Sequence, residues 1–443
     1  MTYRETLDFL YAQLPMYHRI GAAAFKKDLT NTLALCEHLG NPHLTFRSIH
    51  VGGTNGKGSV SHMLAAVCQA AGLKTGLYVS PHYKDFRERI KVNGHYIPRK
   101  RVVEFVDANR AAIEKIQPSF FELCVAMAFD HFARERVDVA VVEVGLGGRL
   151  DSTNIITPLL SVITNISYDH MNMLGDTLPQ IAFEKAGIIK TGVPVVIGET
   201  HPESAPVFLK KAAETGSKIV FADQHLMAAE KENNSKSILQ STVYHVYKNG
   251  APFLDDIDVQ AAGPYQAKNV VTVIQAIDVL RKLPGFQTLM TGALVPDPLR
   301  EGLAHLKTLT RFMGRWQVIG RNPTVLCDSA HNEAGLRSAF EKIGQLVSRT
   351  PDSRLHVVTG FVNDKDVDKV LGLFPREARY YFAKANIPRG LEAPVLREKA
   401  AAHGLSGKAY TSVKNALRAA RRTAAPHDLI VVTGSIFVVA EVI

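Results

Sequence analysis

No apolar run in this 443-residue chain reaches the roughly 18 residues that a membrane-spanning helix requires. The first residues, "MTYRETLDFLYAQLP", carry early acids and no apolar run ending at small residues, so they do not read as a secretion signal. Cysteine is scarce. Cys36, Cys68, Cys124 and Cys327 stand far apart in apolar surroundings, without metal-ligand spacing or a disulfide framework. Buried free thiols in a reducing compartment are expected, and a cytoplasmic location with them. Internal repeats and low-complexity segments are also missing. What remains is a globular composition, 46% apolar and 21% charged, in a chain long enough for two or three domains.

The formal charge is +10, yet the lysines and arginines are dispersed, with short clusters only at Arg99–Arg101 and Arg418–Arg422. No aromatic stacking motif accompanies them, which argues against nucleic acid and for small anionic substrates. Short β-rich apolar runs alternate with stretches of helical period, the mark of α/β layers with mostly parallel sheets. "RSIHVGG", "LKTGLYVS", "VDVAVVEV", "PLLSVITNI" and "GVPVVIGE" are the first strands, separated by helices such as "SVSHMLAAVCQAAG" and "FFELCVAMAFDHFARE". "STVYHVYKNGAPF" predicts a hairpin near 241–253 turning at Asn-Gly. Pro and Gly concentrate over 283–299, read as the approach to a domain boundary. Beyond it, "TVLCDSA", "RLHVVTGF", "YYFAKA" and "DLIVVTGSIFVV" are the strands of a second, smaller α/β domain.

"IHVGGTNGKGSV", Ile49 to Val60, joins the first strand to the first of these helices. Backbone N–H groups and the dipole at a helix start favour a phosphate, and glycines let those amides converge. Lys57 adds a charge for the outer phosphates and Ser59 a hydroxyl. The common spacing G-x-x-x-x-G-K-[ST] fails twice, because Val51 stands where its first glycine belongs and Gly58 separates Lys57 from Ser59. Other strand ends point to the same edge. Glu143 closes "VDVAVVE", where a carboxylate beside a phosphate loop is a Mg²⁺ ligand or an ordinary strand-end acid. Ser80 follows the second strand, and Asp169 and His170 follow another. Lys185, in the apolar "IAFEKAGIIK", has two readings. Burial can lower its pKa and permit a carbamate with CO₂, or it pairs with Glu184 or Asp169.

With these motifs the chain resembles the folylpolyglutamate synthase / dihydrofolate synthase family of the Mur ligase superfamily. "HVGGTNGKGSV", "SPHYKDFRERIKVNG", "EVGLGGRLDSTN", "DHMNMLG", "FEKAGIIK", "YQAKNVVTVIQAI", "MGRWQVI", "DSAHN", "NDKD" and "VTGSIFVV" follow in family order, with Met313 where the family often has Pro. The resemblance implies an α/β, Mur ligase-like architecture. Residues 1–308 would form a P-loop domain with a mostly parallel sheet that binds ATP and pteroate or folate. Residues 309–443 would form a smaller Rossmann-like glutamate-ligase domain, with a hinge near 283–310. It also implies roles. Thr54, Asn55, Gly56, Lys57, Gly58, Ser59, Asn269, Arg315 and Asp328 would hold ATP, and Ser80, Glu143 and His170 the metal. Phe120, Phe121, Asp151, Ser152 and Thr153 would line the pteroate pocket, and His331 and Ser435 would serve glutamate. Lys57, Lys185 and His331 would be catalytic, with Lys185 carbamylated.

The implied reaction is ATP-dependent amide formation. A carboxylate takes a phosphoryl group to give an acyl phosphate, and glutamate's amine displaces phosphate. The implied cofactors are ATP and two Mg²⁺ ions, with K⁺ as a further cation. The implied partners are dihydropteroate or folate, L-glutamate and ATP, with no nucleic acid, no membrane and a monomeric state. The pterin segment "GGRLDSTN" and the pair Phe120–Phe121 favour a bifunctional enzyme. A Mur-type UDP-muramyl ligase, a P-loop nucleic-acid ATPase and a non-catalytic folate binder are the rival readings.

Overall fold

The computed structural model describes residues 1–15, 28–231, 241–290, 297–363 and 367–443. The chain divides into two compact units. The first comprises Met1–Glu230, Val243–Val259 and Ala267–Phe312; the second is chiefly Met313–Ile443 with the short segment Gln260–Gln266.

The first unit is built on an eight-stranded sheet. Its strands are β1 (Arg47–Gly52), β2 (Thr75–Tyr78), β3 (Ile90–Val92), β4 (His95–Tyr96), β5 (Val139–Glu143), β6 (Leu160–Ile163), β7 (Val195–Ile197) and β8 (Ile219–Phe221). They run in the order β4-β3-β2-β5-β1-β6-β7-β8, all in one direction except β3, which pairs antiparallel with both β2 and β4. The five expected strands all form. The short β3, β4 and β8 are not among the expected strands, since they lack the longer apolar surroundings that mark the equally short β7 in "GVPVVIGE". Strand β1 lies between β5 and β6, with Val51 opposite Glu143, so the Gly-rich loop emerges at the sheet's carboxyl edge beside that carboxylate. In open parallel sheets this edge is where ligands bind.

Two helices cover β1 and its neighbours. Helix Lys57–Ala70 is buried from Ser59 through Cys68, and ends where Gly72, at φ +81°, lets Leu73 N–H reach the Cys68 carbonyl. Helix Phe120–Glu135 starts in a capping box, Ser119 with Glu122, and buries Phe129 and Phe132 against Ala140 and Val142 of β5. A three-stranded sheet of β9 (Leu226–Glu230), β10 (Thr242–Lys248) and β11 (Ala251–Val259) contains the expected hairpin, with Asn249-Gly250 at its turn.

Helices Pro298–Ala304 and Leu306–Thr310 lie in the first unit, against helix Lys57–Ala70. His62 on that helix bonds Thr310 Oγ1 at 2.8 Å. The chain therefore leaves the first unit only after Phe312, later than the 283–310 stretch expected to act as a hinge. Part of that stretch, 291–296, lies outside the described residues, as do most of "LPMYHRIGAAAFKKDL" and Asp364 to Asp366 of "NDKD".

The second unit carries a six-stranded sheet in the order β12-β13-β17-β14-β15-β16. The strands are β12 (Gln317–Gly320), β13 (Thr324–Cys327), β14 (Leu355–Thr359), β15 (Arg379–Ala383), β16 (Gly407–Tyr410) and β17 (Leu429–Thr433). Only β12 is antiparallel. "DLIVVTGSIFVV" does not run through as one strand. It stops at Thr433, Gly434 takes φ +102°, and Ser435 caps a helix over Ile436–Ala440 by accepting from Phe437 N–H. An apolar run of five residues is helix or strand by context, and here the cap decides. All four cysteines are free and buried, and burial pushes each thiol up to about 12.

Candidate active site at the Gly-rich loop

The loop after β1 is held by its neighbour β6. Thr54 N–H donates to the Asn165 carbonyl at 2.9 Å and Asn55 N–H to Asn165 Oδ1 at 3.0 Å. Thr54 Oγ1 bonds both the carbonyl and the amide of Ser167, and Thr164 Oγ1 donates to the Asn55 carbonyl. Glu199 fixes the Asn165 amide at 3.0 Å and pairs with Lys268. Thr54 and Asn55, expected at the nucleotide, thus use their backbone donors to anchor the loop. The first helical bond runs from Val60 N–H to the Gly56 carbonyl, so the amides of Gly58 and Ser59 precede it at the helix start. Gly56 has φ +83°, and a Cβ there would stand 2.3 Å from Asn269 Oδ1. The left-handed φ strains any other residue there, and the close approach places Asn269 over the loop.

Glu143, 4% exposed, reaches across from β5. Its Oε1 would lie 3.5 Å from a Cβ at Gly58, over the first helical turn, and its Oε2 accepts from Ser80 N–H at 2.9 Å. Three expected residues therefore meet: the phosphate loop, the carboxylate and the serine. The Glu143 carboxylate beside this helix start is a hard oxygen donor of the kind Mg²⁺ takes. His170 takes a left-handed conformation after β6, with Nε2 3.8 Å from Asp169 Oδ1. Among the described residues no group of three His, Cys, Asp or Glu side chains surrounds one point.

Lys57 folds over its own loop, Nζ donating to the carbonyls of Gly53 (3.0 Å) and Thr54 (3.1 Å). Lys185, 4% exposed, also donates to the Gly53 carbonyl, at 2.8 Å. Burial, then the Lys57 charge, push Lys185 down to about 7, against the pull of Asp169 and Asp151. The ion pair with Glu184 does not form, because that carboxylate takes Arg149 at 2.9 Å. A buried amine that is substantially neutral near pH 7 suits carbamate formation. Lys91 on β3 was not singled out from sequence. It is 3% exposed, and burial pushes it down to about 7 against Glu88 and Glu143.

The expected pteroate residues split into two kinds. Phe121 is half-buried, with its ring 6.2 Å from that of Tyr78 and against Gly145. Phe120 is buried between Tyr11, Phe86 and Arg89. Asp151, Ser152 and Thr153 are buried too, and hold the loop after β5. Asp151 accepts from Leu146 N–H, Thr153 N–H and Thr153 Oγ1. Thr153 Oγ1 in turn accepts from His50 Nε2 at 2.8 Å, leaving the buried Nδ1 bare. Burial, aided by Lys190, pushes His50 down from 6.5 to about 3. The unfolded chain therefore takes up the proton first, and stability present above about pH 6.5 is lost as pH falls toward 3. Between pH 6.5 and 5 this one group costs roughly 2 kcal/mol. The expected outcome is that His50→Gln, which keeps the bond to Thr153, loses less stability over that range than the parent in denaturant titrations. Parallel losses would assign the acid sensitivity elsewhere.

In the second unit, Asp328 follows β13 and is 1% exposed. It accepts from Tyr265 hydroxyl (2.5 Å), Trp316 N–H (2.9 Å) and Ala330 N–H (2.9 Å). His331 Nδ1 donates to the Ser329 carbonyl at 3.0 Å, which aims Nε2 away. Gly434 N–H donates to the Ala330 carbonyl, so the loops bearing His331 and Ser435 are neighbours at the carboxyl ends of β13 and β17. Arg315 is partly exposed beside Gly314. Sequence reasoning missed Thr164, Asn165 and His50, because their partners are remote in the chain and meet only through sheet order.

Residues 51–277 match the Mur ligase middle domain and residues 314–436 the Mur ligase glutamate ligase domain. The chain is similar to a folylpolyglutamate synthase of Lacticaseibacillus casei, 34% identical, covering 100% of this chain and 98% of that one. It is also similar to a dihydrofolate synthase/folylpolyglutamate synthase of Bacillus subtilis, 30% identical over 99% and 98%. Among solved structures, Escherichia coli FolC in complex with DHPP and ADP superposes with a TM-score of 0.81 at 26% identity, covering 100% and 97%. No helix among the described residues is long and apolar enough to cross a membrane. End-to-end similarity and two domain matches agree: the chain belongs to the folylpolyglutamate synthase/dihydrofolate synthase family of the Mur ligase superfamily, ATP-dependent ligases that form amide bonds.

Proposed function

We propose that this chain joins L-glutamate to dihydropteroate and to the γ-carboxylate of folate tails through an acyl phosphate. The observation that carries the reading is Glu143 lying over the first turn of helix Lys57–Ala70, with Ser80 bonded to it and Lys57 at the loop. This supports a seat for a triphosphate with its metal. Gly56 to Ser59 present amides to the phosphates, and Lys57 turns from its loop carbonyls to the outer phosphate. Mg²⁺ at Ser80 and Glu143, with a second ion at His170, would offset the phosphates' charge when bound, and K⁺ is a further cation. Carbamylated Lys185 would add a carboxylate on the same edge. Phe121 would face the pterin, with Tyr78 behind its ring and Asp151, Ser152 and Thr153 shaping the pocket from behind. Asn269 would complete the nucleotide site of the first unit; in the second, Arg315 and Asp328 would serve the nucleotide and His331 and Ser435 glutamate. In this reading 1–308 is the ATP- and folate-binding domain and 309–443 the glutamate-ligase domain, in a monomeric cytoplasmic enzyme.

A product assay with Mg-ATP and labelled glutamate, offering dihydropteroate and tetrahydrofolate separately, tests it. Label is expected in both pterin products. Label in one alone selects a single activity. Label in neither, with turnover of a UDP-muramyl substrate or nucleic-acid-stimulated hydrolysis, selects a rival.

A further inference from the structure

At the β4 edge of the first unit, four cations gather on two aromatic rings. Tyr3 is flanked by Arg87 (5.8 Å from the ring centre) and Arg99 (5.3 Å). Tyr96 is approached by Arg87 (5.8 Å), Lys91 (5.8 Å) and Arg311 (4.7 Å). The acids close by are already engaged. Asp85 is bidentate to Arg87 and accepts from Tyr3, while Glu88 accepts from the amides of Tyr83, Lys84 and Asp85. Among the described residues neither Arg99 nor Arg311, both exposed, has a carboxylate within ion-pair reach. Lys91 is 3% exposed, and among the described residues its ammonium makes no hydrogen bond or ion pair. Ring faces offset part of the mutual repulsion of the cations, but they do not replace an anion.

The patch is continuous with the catalytic edge. The segment Ser80–Arg89 starts at the amide bonded to Glu143 and delivers Asp85 and Arg87 to the rings, and Lys91 senses the charge of Glu143 as well as that of Glu88. Guanidinium groups on a lip beside the site suit a flexible chain that repeats carboxylates at short intervals. A γ-linked glutamate tail is such a chain, since every unit retains a free α-carboxylate.

We propose that Arg99 and Arg311, arrayed on Tyr3 and Tyr96, form a subsite for the α-carboxylates of a γ-linked polyglutamate tail. This rests on the folylpolyglutamate synthase reading above. The subsite gathers affinity from units behind the reacting one, so it favours long tails without touching the reacting carboxyl.

The test measures kcat and KM with tetrahydrofolate mono- and tetraglutamate for the parent, Arg99→Ala, Arg311→Ala and the double variant. Binding of free tetra-γ-glutamate is measured in parallel by calorimetry, with α-linked tetraglutamate as control. The expected result is a KM for the tetraglutamate raised about tenfold in the double variant, with the monoglutamate KM and kcat within about twofold. Arg→Lys at both positions should restore part of it, and added salt should mimic the loss. Equal changes for both substrates, no change, or equal binding of the α-linked control would overturn the subsite. Calorimetry reads it without turnover, so a parent inactive on every folate would defeat the functional reading and leave the binding result to stand or fall separately.

Discussion

Lys57→Ala is expected to lower turnover by about three orders of magnitude while the protein stays folded. The ammonium sits within 3.1 Å of two loop carbonyls at a helix start, from which it has only to turn toward the outer phosphate. Removing one preorganised charge stabiliser of this kind typically costs a factor of about 10² to 10³, and losing the full positive charge puts the effect at the upper end. Folding should survive, because the loop is tied to residues 164–167 by Thr54 and Asn55 rather than by Lys57. A second effect follows from charge alone. Lys57 is one of the causes that hold Lys185 low, so its removal raises the pKa of Lys185 and moves any acid limb due to that amine to higher pH. Steady-state rates, thermal midpoints and a pH profile measure all three. Near-parental turnover would remove the phosphate-loop assignment.

Lys185→Ala is expected to cost a comparable factor, about 10² to 10³, and to be partly rescued by a short carboxylic acid. On the carbamate proposal, the neutral amine of the parent would form an N–C bond with CO₂ and release one proton to solvent. With its pKa near 7, the neutral fraction rises as pH rises through that value, so CO₂ activation of a decarbonated sample should be faster at pH 8 than at pH 6. A variant that is inactive, unrescued and matched by a CO₂-independent parent would instead make Lys185 a structural donor to the Gly53 carbonyl.

The identity of most strands and the phosphate-loop position are legible because each depends on local pattern. β-rich runs of four or more residues, a Gly-rich turn and a lysine are visible within a dozen positions. Strands β3, β4 and β8 and the helix at Ile436 are not, because such short segments take their form from neighbours and caps. The pteroate segment shows the same limit. Motif order put Asp151 and Thr153 in the pocket wall, and packing turned them inward on His50, a residue about a hundred positions away.

The sequence alone determined that this is an α/β protein with two mostly parallel-sheet units and a Gly-rich turn opening a helix between Val51 and Val60, since hydrophobic period and turn chemistry are properties of contiguous residues. Only tertiary structure decided that Glu143 lies over Gly58, that Lys57 and Lys185 share one carbonyl, and that Arg99 and Arg311 crowd two tyrosines. Strand order sets which remote residues meet, and burial then sets their charge, so neither can be read from spacing along the chain.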